Sequence, residues 1–514
     1  MNLLFEFVYV SQNAMLENFL VAIAQEAGIA HSIKKNGGVI ELYVTADEAE
    51  LGAFADKLAS ALPISIYMRK FDVKACDEID ITNGDEIEEC KIYLPFTPSS
   101  LQKAENEINP YIDNEIGFNE ANDHSITADY DDQHIVFTDF KEAFETIAAL
   151  IDEGKSVMIN NRYSLSKLID QTYKGDLTVM ACDIGAIGKI AVAKNEDVNA
   201  LASIERPIVT LPTNMIFAAK YPSLKRLIAV ALPCDKTLYL LSRALMKRGI
   251  DLVAIEGLCR VEVTALDSRN LIVKDYASLR LPPRIARIAE PHYRQFASAM
   301  IENGVEQAQN CGIYLSKIHD DRIMFNSPKD GVVDLLSIDV AKDMETIIGK
   351  IAAIDENSGR LIDNYKNNSS DIYRAAKDIN LIGATNSIYT LWSIAASIAG
   401  FDIDRMLEYI TYSAVPNGPR VDYRVEDNQL NPYKFLRSVI SFHLASVDSE
   451  LLSYGIAESL IYFLVDVTDT LKNKPEHVIL CGSLFANKRL SSLAIKHLKP
   501  NQSVLFNNEL PIEL

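Results

Sequence analysis

Lys474-Pro475-Glu476-His477-Val478-Ile479-Leu480-Cys481-Gly482-Ser483-Leu484-Phe485-Ala486-Asn487-Lys488-Arg489-Leu490 is the stretch on which the fold of this chain turns. Ahead of it, the apolar periodicity of Leu451 to Leu471 predicts a long helix that stops at a Lys-Asn-Lys-Pro break. Four apolar residues then read as a buried strand, and Gly482 opens a turn into a second helical segment. Two readings of that turn stand side by side. It is an ordinary β-to-α turn built on a small residue, or it is a phosphate cradle. In the second case Gly482, Ser483 and Asn487 are the candidate nucleotide-binding residues, because a missing Cβ lets the backbone approach a ligand and the N–H groups at a helix start suit a phosphate.

Composition narrows the function classes. A chain of 514 residues, 48% apolar and 24% charged, is long enough for three or four soluble globular domains. A formal net charge of −21 argues against nucleic-acid partners and anionic membrane surfaces, since the summed field repels phosphate. Glu6 and Glu17 interrupt the apolar N-terminal run, which has no basic n-region, so no secretory signal is expected and the location is read as cytoplasmic. The windows Ser387–Phe401 and Leu227–Leu241 are too short or too interrupted to span a bilayer, so no membrane insertion is expected. Seven scattered cysteines without a Cys-x-x-Cys pair point to reduced thiols, and neither they nor the eight histidines have metal-ligand spacing.

Going along the chain, Phe5–Val10, Val39–Val44 and Ile64–Val73 read as strands alternating with helices over Ala14–Gly28 and Ala46–Leu62. That order predicts a small ferredoxin-like unit. Residues 75–138 turn polar and acidic. Ala143–Gly154 reads as a helix, Ser156–Asn160 as a strand and Leu165–Tyr173 as a further helix, followed by an alternating run from Leu252 to Val273. The last part, from about Ser327, alternates strand and helix and then becomes mostly helical. Thr385-Asn386-Ser387 is the predicted cap of a helix running to Gly400, and Asp402 or Asp404 that of the next.

Several segments together resemble the HypF family of carbamoyltransferases. The loop Gln12-Asn13-Ala14-Met15-Leu16-Glu17 stands where the family's acylphosphatase-like head has Gln-Gly-Val-Gly-Phe-Arg. Glu205-Arg206-Pro207-Ile208-Val209 is similar to a strand of its YrdC-like domain, and Cys481-Gly482-Ser483-Leu484-Phe485-Ala486-Asn487 to its Ser-Gly-Gly-Val-Phe-Gln-Asn. Thr385-Asn386-Ser387 and Phe442-His443 add to the likeness. The resemblance implies an α/β multi-domain fold in four parts: an acylphosphatase-like, ferredoxin-like domain over 1–74, a degenerate zinc-module or linker region over 75–138, a YrdC-like α/β domain over 139–290, and a truncated TsaD-like domain of the actin-like ATPase fold over 291–514.

The departures from the family pattern are chemical. Glu17 replaces the Arg that clasps phosphate, only Cys76 and Cys90 remain of two four-Cys zinc modules, and Tyr389, Thr390 and Ser393 replace a Gly, an Arg and an Asp. Asn160-Asn161-Arg162-Tyr163-Ser164 replaces a Lys-Gly-x-Gly-Gly loop. The family's His-rich motif is missing around Asn364–Asp378, and the resemblance runs out at Leu510-Pro511, ahead of the family's Asp-Gly-Gly phosphate loop. The basic stretch Arg280 to Arg287 reads as an inter-domain linker or as a surface for a carbamoyl-adenylate. The resemblance therefore implies a shortened, HydE-type nickel-iron hydrogenase maturation protein with no identifiable catalytic residue, no zinc, and weak binding of Mg-ATP at most. Its partners would be HypE-like maturation proteins or a hydrogenase subunit. A nucleotide-dependent carbamoyltransferase with a remodelled site is the alternative.

Overall fold

The computed structural model describes residues 1–76, 126–173, 177–267, 270–275, 281–413, 415–426, 429–498 and 500–514. Most of the acidic region, with Cys90, and also Lys174, Gly175, Asp176 and Arg280, lie outside the described residues. The chain is a mixed α/β protein of two compact units, residues 1–269 with 276–278, and residues 270–275 with 279–514.

The first unit begins with a β-α-β-β-α-β run. Its four-stranded antiparallel sheet is ordered Ala30–Asn36, Val39–Thr45, Asn2–Tyr9, Met68–Ala75. The strand Ala30–Asn36 is absent from the sequence reading: its His-Ser-Ile-Lys-Lys-Asn stretch has little apolar alternation, and its place is set by pairing with Val39–Thr45 across the Gly37 turn. Helices Met15–Glu26 and Glu48–Ala61 complete the run, the second closed by a capping box between Asp47 and Glu50.

A second, mixed sheet follows in the order Glu262–Ala265, Ile208–Pro212, Leu227–Ala231, Thr178–Ala181, Leu252–Glu256, Tyr163–Lys167, Val157–Ile159, Ile126–Tyr130, Gln133–Phe137. Helix Phe140–Asp152, capped by Asp139 through Lys141 N at 2.9 Å, buries Ala143, Phe144, Ile147, Ala148 and Ile151 in this sheet's core. Fully burying Ile147 or Ile151 contributes roughly 1.5–3 kcal/mol each.

The expected helix over Leu165–Tyr173 is not there. Tyr163–Lys167 is a strand, paired on both sides, with Tyr163 and Leu165 buried. Asn160 and Asn161, at φ of 50° and 49°, make the preceding hairpin turn, which Asn tolerates better than other non-Gly residues.

The second unit is built on a sheet in the order Val425–Glu426, Gln429–Leu430, Gly331–Ile338, Arg322–Ser327, Asn310–Tyr314, His477–Cys481, Ser503–Leu505. Its strands are antiparallel from Gly331–Ile338 to Asn310–Tyr314 and parallel from there to Ser503–Leu505. Phe296 and Met300 of helix Pro291–Asn303 pack on its face with Tyr314, Met324 and Ile479.

The predicted caps are present. Ser387 Oγ accepts Thr390 N at 3.1 Å, Asp402 accepts Arg405 N at 2.8 Å, and Gly400 ends the first of these helices at φ 90°.

Helix Ser449–Thr470, of 22 residues, is long and apolar enough to cross a membrane by length and composition, contrary to the expectation from the shorter windows. Its apolar stretch is nevertheless 67% buried inside the protein, as a core helix would be. Glu458 and Ser459 on it accept Gly418 N at 3.1 Å and Val421 N at 3.0 Å, and a Cβ on Gly455 would stand 2.5 Å from Pro419.

Candidate functional site

The turn at Gly482 closes strand His477–Cys481, whose residues Val478 to Cys481 are fully buried. Gly482 has φ 95° and ψ 147°, a region essentially reserved for Gly, and a Cβ there would lie 2.2 Å from Leu315 O. Two strand ends crossing this closely are sufficient reason for the glycine. The segment after it is not an α-helix start but a short 3₁₀ turn, Ser483–Ala486, and the α-helix begins only at Lys488. The reason lies in Asn487, whose Oδ1 accepts Arg489 N at 3.0 Å and Leu490 N at 3.1 Å and so caps the helix itself.

The three candidate residues therefore have separate duties. Gly482 N donates to Ile512 O at 2.8 Å and Ser483 N to Glu513 Oε2 at 2.9 Å, while Ser483 Oγ accepts Lys317 N at 3.0 Å. Asn487 Nδ2 donates to Thr411 Oγ1 at 2.9 Å. Glu513 Oε1 also accepts the hydroxyls of Tyr314, at 2.8 Å, and of Ser316. Asp321 is buried close by and accepts Ser316 N at 2.7 Å and Ile388 N at 2.6 Å. Burial, with smaller contributions from Glu513 and Asp320, raises its carboxyl well above the usual range. Ser393, at the position read as a lost acid, donates to Tyr389 O of its own helix at 2.9 Å.

In the first unit, the loop read as a degenerate phosphate loop is filled from within. Glu17 is buried and pairs with Lys35 Nζ at 2.8 Å, and the same ammonium donates to Asn13 O at 2.9 Å and lies 5.1 Å from the Tyr9 ring centroid. Asn13 accepts the Tyr9 hydroxyl at 2.6 Å. That hydroxyl is also 3.2 Å from Glu205, a fully buried carboxyl that further accepts Ser65 Oγ at 2.5 Å and Ile66 N at 3.0 Å. Burial raises Glu205 above the usual carboxylate range despite these donors.

Sequence reasoning overlooked a cationic cluster next to Glu205. Arg206, with a positive φ of 46°, stands near Cys234 and Arg260. Arg260 is buried and donates to Cys234 O at 2.9 Å. Burial and then the Arg260 charge lower the Arg206 guanidinium, and burial pushes the Cys234 thiol up although Arg260 lies beside it. Asp235 accepts Tyr163 Oη at 2.6 Å and Leu238 N at 2.8 Å, and Lys236 is buried after it. A charged residue inside the apolar alternation of Leu252–Val273 was the available signal for Arg260. Arg162, in the loop that replaces the family's Lys-Gly-x-Gly-Gly, lies with its guanidinium 4.8 Å from the Tyr163 ring centroid.

Among the described residues no three His, Cys, Asp or Glu side chains are grouped as a metal ion would require. The donors of the Gly482 turn do not fit a nucleotide phosphate as they stand, because Ile512 and Glu513 already take them.

No family model matches the sequence. Protein HydE of Wolinella succinogenes is 23% identical over 412 residues, covering 72% of this chain and 74% of that protein. Full-length HypF, solved in a phosphate- and nucleotide-bound form, superposes with a TM-score of 0.60 at 12% identity, over 99% of this chain and 96% of its own. HypF of T. kodakarensis does so with a TM-score of 0.55 at 13% identity, over 100% and 96%. The resemblance read from the motifs therefore extends to the tertiary structure, and the chain has the HypF fold over its whole length.

Proposed function

We propose that this protein acts in nickel-iron hydrogenase maturation as an accessory protein of HypF architecture. On this reading the first sheet is an acylphosphatase-like domain, the mixed sheet a YrdC-like domain, and the second unit a TsaD-like domain of the actin-like ATPase fold. The observation that carries the accessory role is that both candidate anion-binding turns hold the chain's own carboxylates, Glu17 on Lys35 and Glu513 on Ser483. A site that has replaced a cationic clasp with a carboxylate repels a phosphoryl group. Any ATP would bind weakly and without a clamped Mg²⁺, so phosphoryl chemistry would lack its charge neutralisation. The retained surface would serve a HypE-like partner or a hydrogenase subunit in the cytoplasm.

A second reading, an active nucleotide-dependent carbamoyltransferase, is favoured by one observation, the half-buried Arg206 near the buried Arg260, which donates to Cys234 O. Two arginines near one another on an acidic chain suit an anionic ligand. ATP–pyrophosphate exchange in the presence of carbamoyl phosphate separates the two readings. The accessory role predicts none, together with loss of mature hydrogenase when the gene is deleted and recovery of a maturation protein bound to the purified chain. Exchange that disappears in Arg206→Gln would establish the enzyme instead, and normal hydrogenase maturation after deletion would refute both.

A further inference from the structure

We propose that the Gly482–Ser483 turn, with Tyr314 and Ser316, is an oxyanion site liganded in cis by Glu513, and that removing this carboxylate converts it into a site for a free small carboxylate. Three donors from three parts of the second unit meet on one group. Tyr314 ends a central strand and donates its hydroxyl to Oε1 at 2.8 Å, Ser316 in the loop after that strand donates to the same oxygen, and the Ser483 N–H donates to Oε2 at 2.9 Å. Preorganised hydroxyl and backbone donors converging on one carboxylate form the kind of cradle that holds an oxyanion.

The donors are fixed before the carboxylate arrives. Ser316 Oγ accepts Ile318 N at 3.0 Å and His319 N at 2.9 Å, which aims its proton away from those groups and at Glu513. Ser483 is held by Lys317 N on its Oγ, and Tyr314 is locked in the parallel register with Cys481.

The supplying segment is anchored independently of the cradle. Glu302 accepts Asn508 N at 3.0 Å, Glu509 N at 3.0 Å and Leu510 N at 2.8 Å, and Gln295 Nε2 donates to Pro511 O at 2.7 Å. Ile512 N then donates to Val273 O at 2.8 Å. Truncating the Glu513 side chain leaves all of these contacts in place, and with them an empty cradle of the same shape. While Glu513 is present, its charge keeps a second anion out. Glu513 is thus a built-in competitor of any anion offered to this turn. The inference stands on the second unit alone and is independent of the maturation role.

The test is thermal unfolding of the full chain in sodium formate, sodium phosphate or sodium chloride at equal ionic strength. Wild type should unfold at the same temperature in all three. Glu513→Ala should unfold about 5 °C lower in chloride and recover at least half of that loss in formate. A folded Glu513→Ala protein that responds to formate no more than wild type does would overturn the proposal. Stabilisation by phosphate without stabilisation by formate would overturn the carboxylate-sized assignment. Should Glu513→Ala not fold, the near-isosteric Glu513→Gln decides: it keeps the cradle filled and should lower Tm without any response to formate, whereas a wild-type Tm would show that the charge is not held.

Discussion

Gly482→Ala offers the most direct measure of how tightly the second unit is built around its central turn. The backbone at φ 95° and ψ 147° costs an L-residue on the order of 1–3 kcal/mol. The new methyl would stand 2.2 Å from Leu315 O, well inside contact distance. Leu315 cannot withdraw freely, because its N–H donates to Cys481 O at 2.9 Å and its carbonyl accepts Leu484 N at 3.1 Å. Relief of the overlap must loosen at least one of these bonds, for roughly another 1–3 kcal/mol. The expected loss is therefore about 2–6 kcal/mol, a large part of a domain's net stability. Urea unfolding followed by tryptophan fluorescence reads this unit selectively: the single Trp of the chain, Trp392, is fully buried in it, with Nε1 on Tyr423 Oη at 2.8 Å. A loss of less than about 1 kcal/mol would refute the argument. The same strain makes Gly482→Glu unsuitable for testing nucleotide binding, since it would disrupt the turn whether or not a ligand uses it.

Lys35→Met should destabilise the first unit by about 3 kcal/mol, because it leaves Glu17 buried without its partner; chemical denaturation followed by circular dichroism checks this, and an unchanged midpoint would contradict it. Acetyl phosphate and carbamoyl phosphate should not be turned over by the wild type or by Glu17→Arg, since the new guanidinium would meet Lys35 at the position where Glu17 now pairs with it; phosphate release in either case would show the reading of this loop to be mistaken. For pH, a raised Asp321 carboxyl means that the folded state holds its proton to higher pH than the unfolded chain does. Its favourable contribution is then complete below about pH 4 and is lost as pH rises through the folded value. The unfolding midpoint of the second unit should accordingly rise on mild acidification from neutral pH, with a flatter slope in Asp321→Asn; identical slopes would remove Asp321 as the cause. Purified protein should contain no stoichiometric zinc, and elemental analysis showing one zinc per chain that disappears in Cys90→Ser would reverse this expectation.

Local pattern was enough for the elements whose residues repeat at their own period. The long helix before Lys474, the buried strand up to Cys481, the caps at Ser387 and Asp402, and the β-α-β order of the first seventy residues all follow from apolar spacing and from the short polar residues that close a helix end. The multi-domain α/β character and the likeness to HypF were legible for the same reason, as a run of such segments in one order. Ala30–Asn36 and Tyr163–Lys167 were not, because a strand poor in apolar alternation is defined by its neighbours rather than by its own residues.

The site depended on tertiary structure still more. Nothing local to Gly482 says that the N–H groups beyond it are taken by residues thirty positions later. Nothing local to Arg206 says that Arg260 comes to stand near it, or near Glu17 that Lys35 will neutralise it. Donors, acceptors and charges act over a few ångströms of space whatever their separation along the chain. The sequence determines which of them exist, and only the folded chain decides which of them are already spent on one another.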